Sequence, residues 1–362
     1  MILKKLIILV IIFAMVFTLV GCAGSNTVQE DLESGKEPAA IEEKTSLKGT
    51  YVGYSWKDEA KGVEFEDATQ YIETILNLDE EGIIEDAKVR FFVMKDGYWT
   101  MRQSGNAYVE LDYSIDPTPA HGGEEYKAGD SMFKVYTSDM MAFYAVGVSE
   151  DSTTALVMVD PITRYQFEMK IPQDFDLSLP VGQMTIGSGL TVPTVRTSGS
   201  RAAEWDGLAE NMILNISPWS HVVTKTGALE GITEDSTVQE FLEAFGVEFE
   251  NGTAVPQDVI YGYYGTGGWN GNMNAIADSL VGKDAKEFTS LIDWSDPRYA
   301  GAINEENVFG VDVASGATGT VQNSMDTISG ATVRVSREAT SFQRALVDAG
   351  ILQESDVIIG KF

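Results

Sequence analysis

Short runs in which apolar and polar residues alternate dominate the chain from about residue 47 to residue 195. Examples are YIETILNL, MFKVYT, TTALVMVD and RYQFEMKI, and turn residues such as D-E-E-G at 79–82 and K-D-G at 95–97 separate such runs. Alternation with a period of two, interrupted by residues of this kind, is typical of antiparallel strands joined by hairpins. The pattern therefore predicts a β-rich N-terminal part.

The apolar spacing lengthens beyond residue 205. Ser236 and Gln239 have the spacing of a capping box, and the apolar residues that follow share one helical face until Gly246. Asp284 and Glu287 have the same spacing before a second apolar set, so a second helix is predicted there. The two apolar sets are Val238, Phe241, Leu242 and Phe245, and then Phe288, Leu291 and Ile292.

These patterns predict the α+β class, with a β-rich N-terminal domain at 47–195 and a mixed α/β domain at 206–362. The stretch 185–205 is rich in Gly, Ser and Thr and has no long apolar period. Such a composition favours a linker or a long surface connection between the two domains.

The first residues have the parts of a secretory signal. Lys4 and Lys5 precede an apolar run from Leu6 to Val20, and Gly21 and Cys22 follow it. The end of this run resembles the lipobox of bacterial lipoproteins, which implies a signal peptide at 1–21 and lipidation of Cys22. The alternative is a transmembrane helix, for which a run of fifteen residues is short.

Residues 22–46 are acidic and lack an apolar period, so they are predicted to form a flexible tether. The expected location is the extracytoplasmic face of the cell membrane, with the lipid anchor as the only attachment. The formal net charge of −30 argues against nucleic acid as a partner. Its simplest interpretation is solubility.

Cysteine and histidine are scarce, since the 362 residues include one Cys and two His. A zinc site, an iron–sulfur cluster or a c-type haem needs these residues in groups, so no metal site is predicted. No Ser/His/Asp set and no G-x-G-x-x-G after a strand stands out, so no catalytic residue and no nicotinamide site is assigned. Redox chemistry in this chain would need an organic cofactor.

The pattern D-x-x-S-G-A-T occurs twice, at 312–318 and at 326–332. Only the second copy leads into a helical stripe, which Gly350 ends, so Thr332 is expected at or just before a helix N-terminus. A glycine turn before a helix N-terminus favours a phosphate there. The alternative is a small-residue turn that only caps the helix. The stripe residues are Val335, Ala339, Phe342, Leu346 and Ala349, with Arg337, Glu338, Gln343 and Arg344 off the stripe.

The second copy, followed by its helix, resembles the flavinylation motif of the FMN-binding domain family, whose members include electron-transfer lipoproteins. The resemblance implies covalent FMN on Thr332 through a phosphoester, added by a flavin transferase that uses FAD as donor. It also implies that Asp326, Ser329, Gly330 and Ala331 form the loop that the transferase recognises and against which the phosphate rests.

The first copy has no apolar stripe after it, so the anion-site argument does not extend to it. Two interpretations stay open. It is either a fortuitous or decayed duplicate in an inserted loop, or Thr318 is a second flavin site and the two flavins form a relay.

Two further features bear on the resemblance. Tyr263, Tyr264 and Trp269 are candidates for stacking on the flavin ring, with ordinary core packing as the alternative. The strands that begin LKGTYVGYS and YIETILNL are faintly similar to the first strands of an FMN-binding domain. They are either a degenerate second copy or an unrelated β-domain.

The function predicted from these features is an anchored flavoprotein that carries electrons between a membrane reductase and an external acceptor or partner. It is expected to act as an electron-transfer protein rather than as a stand-alone catalyst. The alternative is a lipoprotein that binds a ligand or a surface partner without redox chemistry. A third possibility, a small-substrate reductase in the N-terminal part, has no catalytic residues to support it.

Overall fold

A computed structural model of the chain describes residues 46–122, 125–161, 163–197, 210–211, 213–215, 227–298, 327–360 and 362. The described part contains both strands and helices, with more strand than helix, which is compatible with the predicted α+β class. It belongs to one compact unit, Thr45–Phe362. Cys22, Thr318 and Asp326 lie outside the described residues.

The strands are β1 (Gly49–Trp56), β2 (Gln70–Leu78), β3 (Ile84–Lys95), β4 (Tyr98–Met101), β5 (Ala107–Leu111), β6 (Phe133–Thr137), β7 (Phe143–Val148), β8 (Thr154–Val159), β9 (Tyr165–Ile171), β10 (Val192–Arg196), β11 (Phe249–Glu250), β12 (Thr253–Ala254) and β13 (Gln257–Tyr263). The α-helices of the described residues are α1 (Val238–Ala244), α2 (Gly268–Leu280) and α3 (Ser336–Asp348).

The first sheet is antiparallel, with the strand order β1-β2-β3-β4. Burial alternates along β2, as the period of two predicts, because only one face of this sheet meets the core. The predicted turns at 79–82 and 95–97 join β2 to β3 and β3 to β4, so both hairpins are confirmed.

Helix α3 packs on β1 and β2, and its predicted apolar stripe is buried as expected. The close approach depends on Gly53, because a Cβ at this position would overlap the Ser341 carbonyl oxygen and the Ala345 nitrogen. Ser55 Oγ also donates to the Arg337 carbonyl oxygen at 2.6 Å. The sequence placed Glu338 and Gln343 off the buried stripe, and this is wrong. Both side chains are buried, since this helix is covered on more than one side.

The second sheet is antiparallel as well, with the strand order β10-β9-β8-β7-β13. All six residues of β8 are buried, because both faces of the sheet are covered. One face packs against α1, and the other packs against the hairpin of β5 and β6.

The core of the first sheet and the core of the second sheet each contain residues from before and after the predicted domain boundary at 195–206. Strand β13 completes the second sheet through its pairing with β7, while α2 and α3 cover the first sheet. The predicted linker at 185–205 includes β10, which pairs with β9. That part of the stretch is a strand and not a connection.

Two helix starts differ from the sequence prediction. The capping box of α1 is formed by Thr237 and Glu240, one residue beyond the predicted pair of Ser236 and Gln239. Asp284 begins a turn without a following helix, although the apolar residues predicted after it do pack in the core.

Candidate functional site

The described part of the second motif is a tight turn that leads toward α3. The Ala331 nitrogen donates to the Ile328 carbonyl oxygen at 3.2 Å. Gly330 has a φ of 83°, in the left-handed region that strongly favours glycine. The glycine of the motif is therefore explained by backbone conformation alone.

Thr332 is held against helix α2. Its backbone nitrogen donates to Asn272 Oδ1 at 2.6 Å, and its Oγ1 lies 3.1 Å from the same oxygen. Thr332 is 5% exposed and Asn272 is fully buried. In this conformation the hydroxyl group of Thr332 is buried and donates its hydrogen bond to Asn272.

Asn272 is fixed in turn by its own contacts. Its Nδ2 donates to the Gly268 carbonyl oxygen at 2.6 Å and to Thr266 Oγ1 at 3.1 Å. The amide orientation is thus determined, because Nδ2 has acceptors on one side and Oδ1 has the donors of Thr332 on the other. Asn272 joins the first turn of α2 to the motif.

Thr332 does not belong to the first turn of α3. That helix begins at Ser336, with Val335 in the N-cap position and no side-chain cap. The sequence predicted Thr332 at or just before the helix N-terminus. Three residues separate Thr332 from Ser336, so Thr332 precedes the helix without adjoining it. The hydroxyl contacts α2 instead.

A cleft of about 630 Å³ lies between the motif, α2 and the segment after α2. The motif contributes Thr327, Ile328 and Ser329 to its lining, while Thr332 does not line it. Lys283 and Phe288 also line it, with Lys283 Nζ 3.7 Å from the centre of the Phe288 ring. The volume is within the range of small-molecule and cofactor sites.

The three aromatic candidates lie away from this cleft. Tyr264 is buried in the core of the second sheet, where its hydroxyl donates to the Val159 carbonyl oxygen at 2.7 Å. Burial raises the pKa of Tyr264 well above its ordinary value. Trp269 is buried in the core of the first sheet. Tyr263 packs against Phe143, with ring centres 5.7 Å apart. All three have the packing roles that the alternative interpretation describes.

Asp139 holds the start of α2. Its Oδ2 accepts a hydrogen bond from the backbone nitrogen of Trp269 at 2.7 Å, and its Oδ1 accepts one from the backbone nitrogen of Met141 at 3.0 Å. A carboxylate in this position satisfies an otherwise unpaired helix donor. Burial nevertheless raises the pKa of Asp139 to about 6, since these N–H groups offset only part of the desolvation.

Sequence reasoning missed Asn272, which contacts the motif directly. A signal was present, because Asn272 lies on the apolar face that α2 forms with Trp269, Met273 and Ile276. A polar residue on such a face needs a hydrogen-bond partner, and a buried Asn pairs most readily with a neighbouring backbone or hydroxyl group.

Within the described residues, no group of His, Cys, Asp and Glu side chains is arranged to hold a metal ion. The same part of the chain has no helix with the length and apolar character that a membrane span requires. No protein-family model matches the chain, and no curated protein and no solved structure matches it significantly.

Proposed function

We propose that this protein is a lipid-anchored, extracytoplasmic electron carrier with FMN attached to Thr332. The observation that carries the proposal is the second D-x-x-S-G-A-T motif, which lies beside a cleft of cofactor size. Covalent attachment suits a protein outside the cell, where a dissociated flavin would be lost by dilution. Bound FMN would supply the transfer of one or two electrons.

The fold contributes support of a second kind. The helix after the motif packs on β1 and β2, so the strands from residue 49 onward and the motif share one core. An FMN-binding-type domain here would consist of both ends of the described chain, with β5 to β13 between them. This arrangement favours neither a degenerate second copy nor an unrelated N-terminal domain.

Several residues of the site fit a flavin nucleotide. The Thr327–Ser329 segment would line the cofactor site together with Phe288, whose apolar ring suits a flat heterocycle. Lys283 would offer its positive charge to an anionic group, although the carboxyl groups of Asp278 and Asp293 line the same cleft. Gly330 keeps the turn free of side-chain atoms. We propose Asp326 and Ala331 as further parts of the loop, as the resemblance implies.

The buried hydroxyl sets a condition on attachment. Thr332 Oγ1 would lose its proton and form an ester bond to the FMN phosphorus of FAD, while the phosphoanhydride bond breaks and AMP leaves. A transferase has to reach Oγ1 for this reaction. The contacts of Thr332 with Asn272 must therefore open, at a cost of about 1–3 kcal/mol.

The inward position of Thr332 also favours the alternative, a binding module without flavin, in which the motif is only a turn. Intact mass and peptide mapping distinguish the two functions when the chain is produced with a flavin transferase. One FMN adduct that Thr332→Ala abolishes and Thr332→Ser retains supports the carrier. No adduct on the wild-type chain supports the binding module.

The same experiment addresses Thr318. An adduct count of two, with one lost in Thr318→Ala, supports a two-flavin relay. If the Thr318→Ala chain carries the same adduct as wild type, the first motif does not carry a flavin.

A further inference from the structure

Two arginines, Arg102 and Arg337, contact the same aromatic residues in a strongly acidic protein. The chain has nine arginines and a net charge of −30. Burial first, and then the charge of Arg337, lower the pKa values of Arg102, Arg164 and Arg334.

Two guanidinium groups contact the same pair of rings. Phe91 and Trp269 form an edge-to-face pair with centres 5.1 Å apart. The Arg102 guanidinium carbon lies 5.1 Å from the centre of Phe91 and 4.8 Å from that of Trp269. The corresponding distances for Arg337 are 4.6 Å and 5.1 Å. Two like charges thus lie close to the same pair of rings.

Carboxylates compensate these charges only in part. Arg337 pairs with Glu338 at 2.8 Å. Within the described residues, Arg102 and Arg164 have neither an ion pair nor a side-chain hydrogen bond. Burial, and then the charges of Arg337 and Arg164, lower the pKa of Arg102 to about 10, while the charge of Asp139 opposes the shift. Burial likewise lowers the pKa of Arg164, with Asp160 opposing the shift.

Unpaired polar atoms are present at the same place. Trp269 is 3% exposed, and its Nε1–H has no acceptor within the described part of the chain. Glu338 is fully buried, and its Oε2 has no hydrogen-bond donor there. An unpaired donor of this kind lowers stability by about 1–3 kcal/mol. Among the described residues, the region thus has guanidinium and indole donors without acceptors, and one carboxylate oxygen without a donor.

We propose that Arg102 and Arg337, called the arginine cluster, bind a small oxyanion that carries two or more negative charges. Phosphate and carboxylate groups share this chemistry, because both accept paired hydrogen bonds from the planar guanidinium. The Trp269 Nε1–H supplies a further donor. Binding at this site does not depend on a flavin at Thr332.

Packing alone is the competing explanation of Arg102. In that case Arg102 would only stack on Phe91 and Trp269. Replacing Arg102 would then lower the stability of the chain through lost cation–π contacts. A ligand site makes the opposite prediction. A half-buried charge beside Arg337, without an ion pair among the described residues, destabilises the ligand-free chain, so its removal should preserve or raise stability.

The test is calorimetric titration of the purified full chain with pyrophosphate and with succinate, at constant ionic strength in chloride. Wild type is expected to bind at least one of them, and Arg102→Gln to weaken binding by about 10- to 100-fold. Arg298→Gln is the matched control, because Arg298 pairs with Asp296 in an exposed loop. It should bind as wild type does.

Thermal unfolding of the same chains without ligand provides the second measurement. An unchanged or raised Tm for Arg102→Gln, together with lost binding, supports the site and shows that the variant folds. Tighter binding of pyrophosphate or of succinate identifies the ligand class. Binding of neither, or equal binding by Arg102→Gln, overturns the proposal. A Thr332→Ala chain should bind as wild type does, so a failure of flavin attachment leaves this result unaffected.

Discussion

Thr74 on β2 and Ser341 on α3 are 267 residues apart in sequence, and their hydroxyl oxygens are 2.7 Å apart in a fully buried contact. Two buried hydroxyls satisfy each other in this way without a charged partner. The contact lies in the interface at which α3, the helix after the motif, packs on β1 and β2. The strands near residue 50 therefore support the segment around Thr332, and changes in them should affect it.

Gly53→Ala tests how closely α3 approaches β1. The added methyl group would overlap the backbone of Ser341 and Ala345, so the helix has to move. We expect a loss of about 1–3 kcal/mol or more in the free energy of unfolding, measured as a lower denaturation midpoint at unchanged slope. Gly105→Ala is the control, because its nearest atom would be 3.8 Å away. Equal stability of the two variants would contradict the packing described.

Arg344 provides a second test of this interface between α3 and β1. It pairs with Glu59 and with Glu354, and it donates to the Tyr54 carbonyl oxygen at 2.9 Å. The side chain of Glu59 is 8% exposed. Arg344→Met would leave Glu59 buried without its partner, so we expect a loss of about 3–5 kcal/mol.

The double variant Arg344→Met with Glu59→Gln should recover part of that loss, because the unpaired charge is removed. Arg344→Lys should not restore full stability, since one ammonium group cannot replace the separate guanidinium contacts. Additive effects of the two single changes in a double-mutant cycle would show that the pair is not coupled.

Local signals were sufficient for much of the secondary structure. The hairpin turns at 79–82 and 95–97 and the apolar stripe of α3 depend on neighbouring residues, and the sequence predicted each of them. The position of the α1 cap was one residue off, because Ser236 and Thr237 both have a suitable residue three positions later. The choice depends on which hydroxyl meets the free N–H group.

Contacts between distant segments were beyond the sequence pattern. Nothing periodic connects β1 with α3, so the shared core of residues from both halves was not predicted. The turn at the second motif follows from Gly330, but the direction of the Thr332 hydroxyl depends on Asn272, which lies sixty residues earlier. The arginine cluster also depends on tertiary contacts, since its members lie on separate elements.

Thr237→Ala should lower stability by about 1 kcal/mol, because Thr237 Oγ1 accepts from the Glu240 nitrogen at 3.2 Å at the start of α1. Gln239→Ala is the control. It loses only a surface contact with Glu243, and we expect about 0.2–0.5 kcal/mol. Chemical denaturation measures both. A larger loss for Gln239→Ala would favour the cap that the sequence suggested.

Asp139 should make stability depend on pH in an unusual direction. Its pKa is raised to about 6, whereas an unfolded Asp has a pKa of about 3.9. The folded chain holds this proton more tightly, so the contribution of Asp139 is greatest below pH 4 and is lost as pH rises to 6. The loss is on the order of 2–3 kcal/mol.

Denaturation of wild type and Asp139→Asn from pH 4 to pH 7 measures this contribution. The variant loses stability at every pH through its altered contact with α2, and only the pH-dependent difference from wild type reports the carboxyl group. We expect that difference to narrow as pH rises. Asp258→Asn, at an exposed position on β13, should follow the wild-type profile. A constant difference for Asp139→Asn would contradict the raised pKa.

Asn272→Ala separates the structural role of the motif from its proposed chemical role. The change removes both contacts to Thr332 and the bonds of Asn272 to Gly268 and Thr266. We expect a loss of about 2–3 kcal/mol in stability, with faster hydrogen exchange at the Thr332 amide. Asn270→Ala, at an exposed position on the same helix, should leave both unchanged.

Flavin transfer to these chains then tests whether Asn272 restrains Thr332. If the buried contact limits access, Asn272→Ala should accept FMN faster than wild type under equal transferase and FAD, because the hydroxyl is released more often. Slower transfer, at a chain concentration corrected for the folded fraction, would mean that Asn272 holds the motif in the form that the transferase recognises. The direction of the rate change thus decides whether the observed position of Thr332 is a closed state or the reactive one.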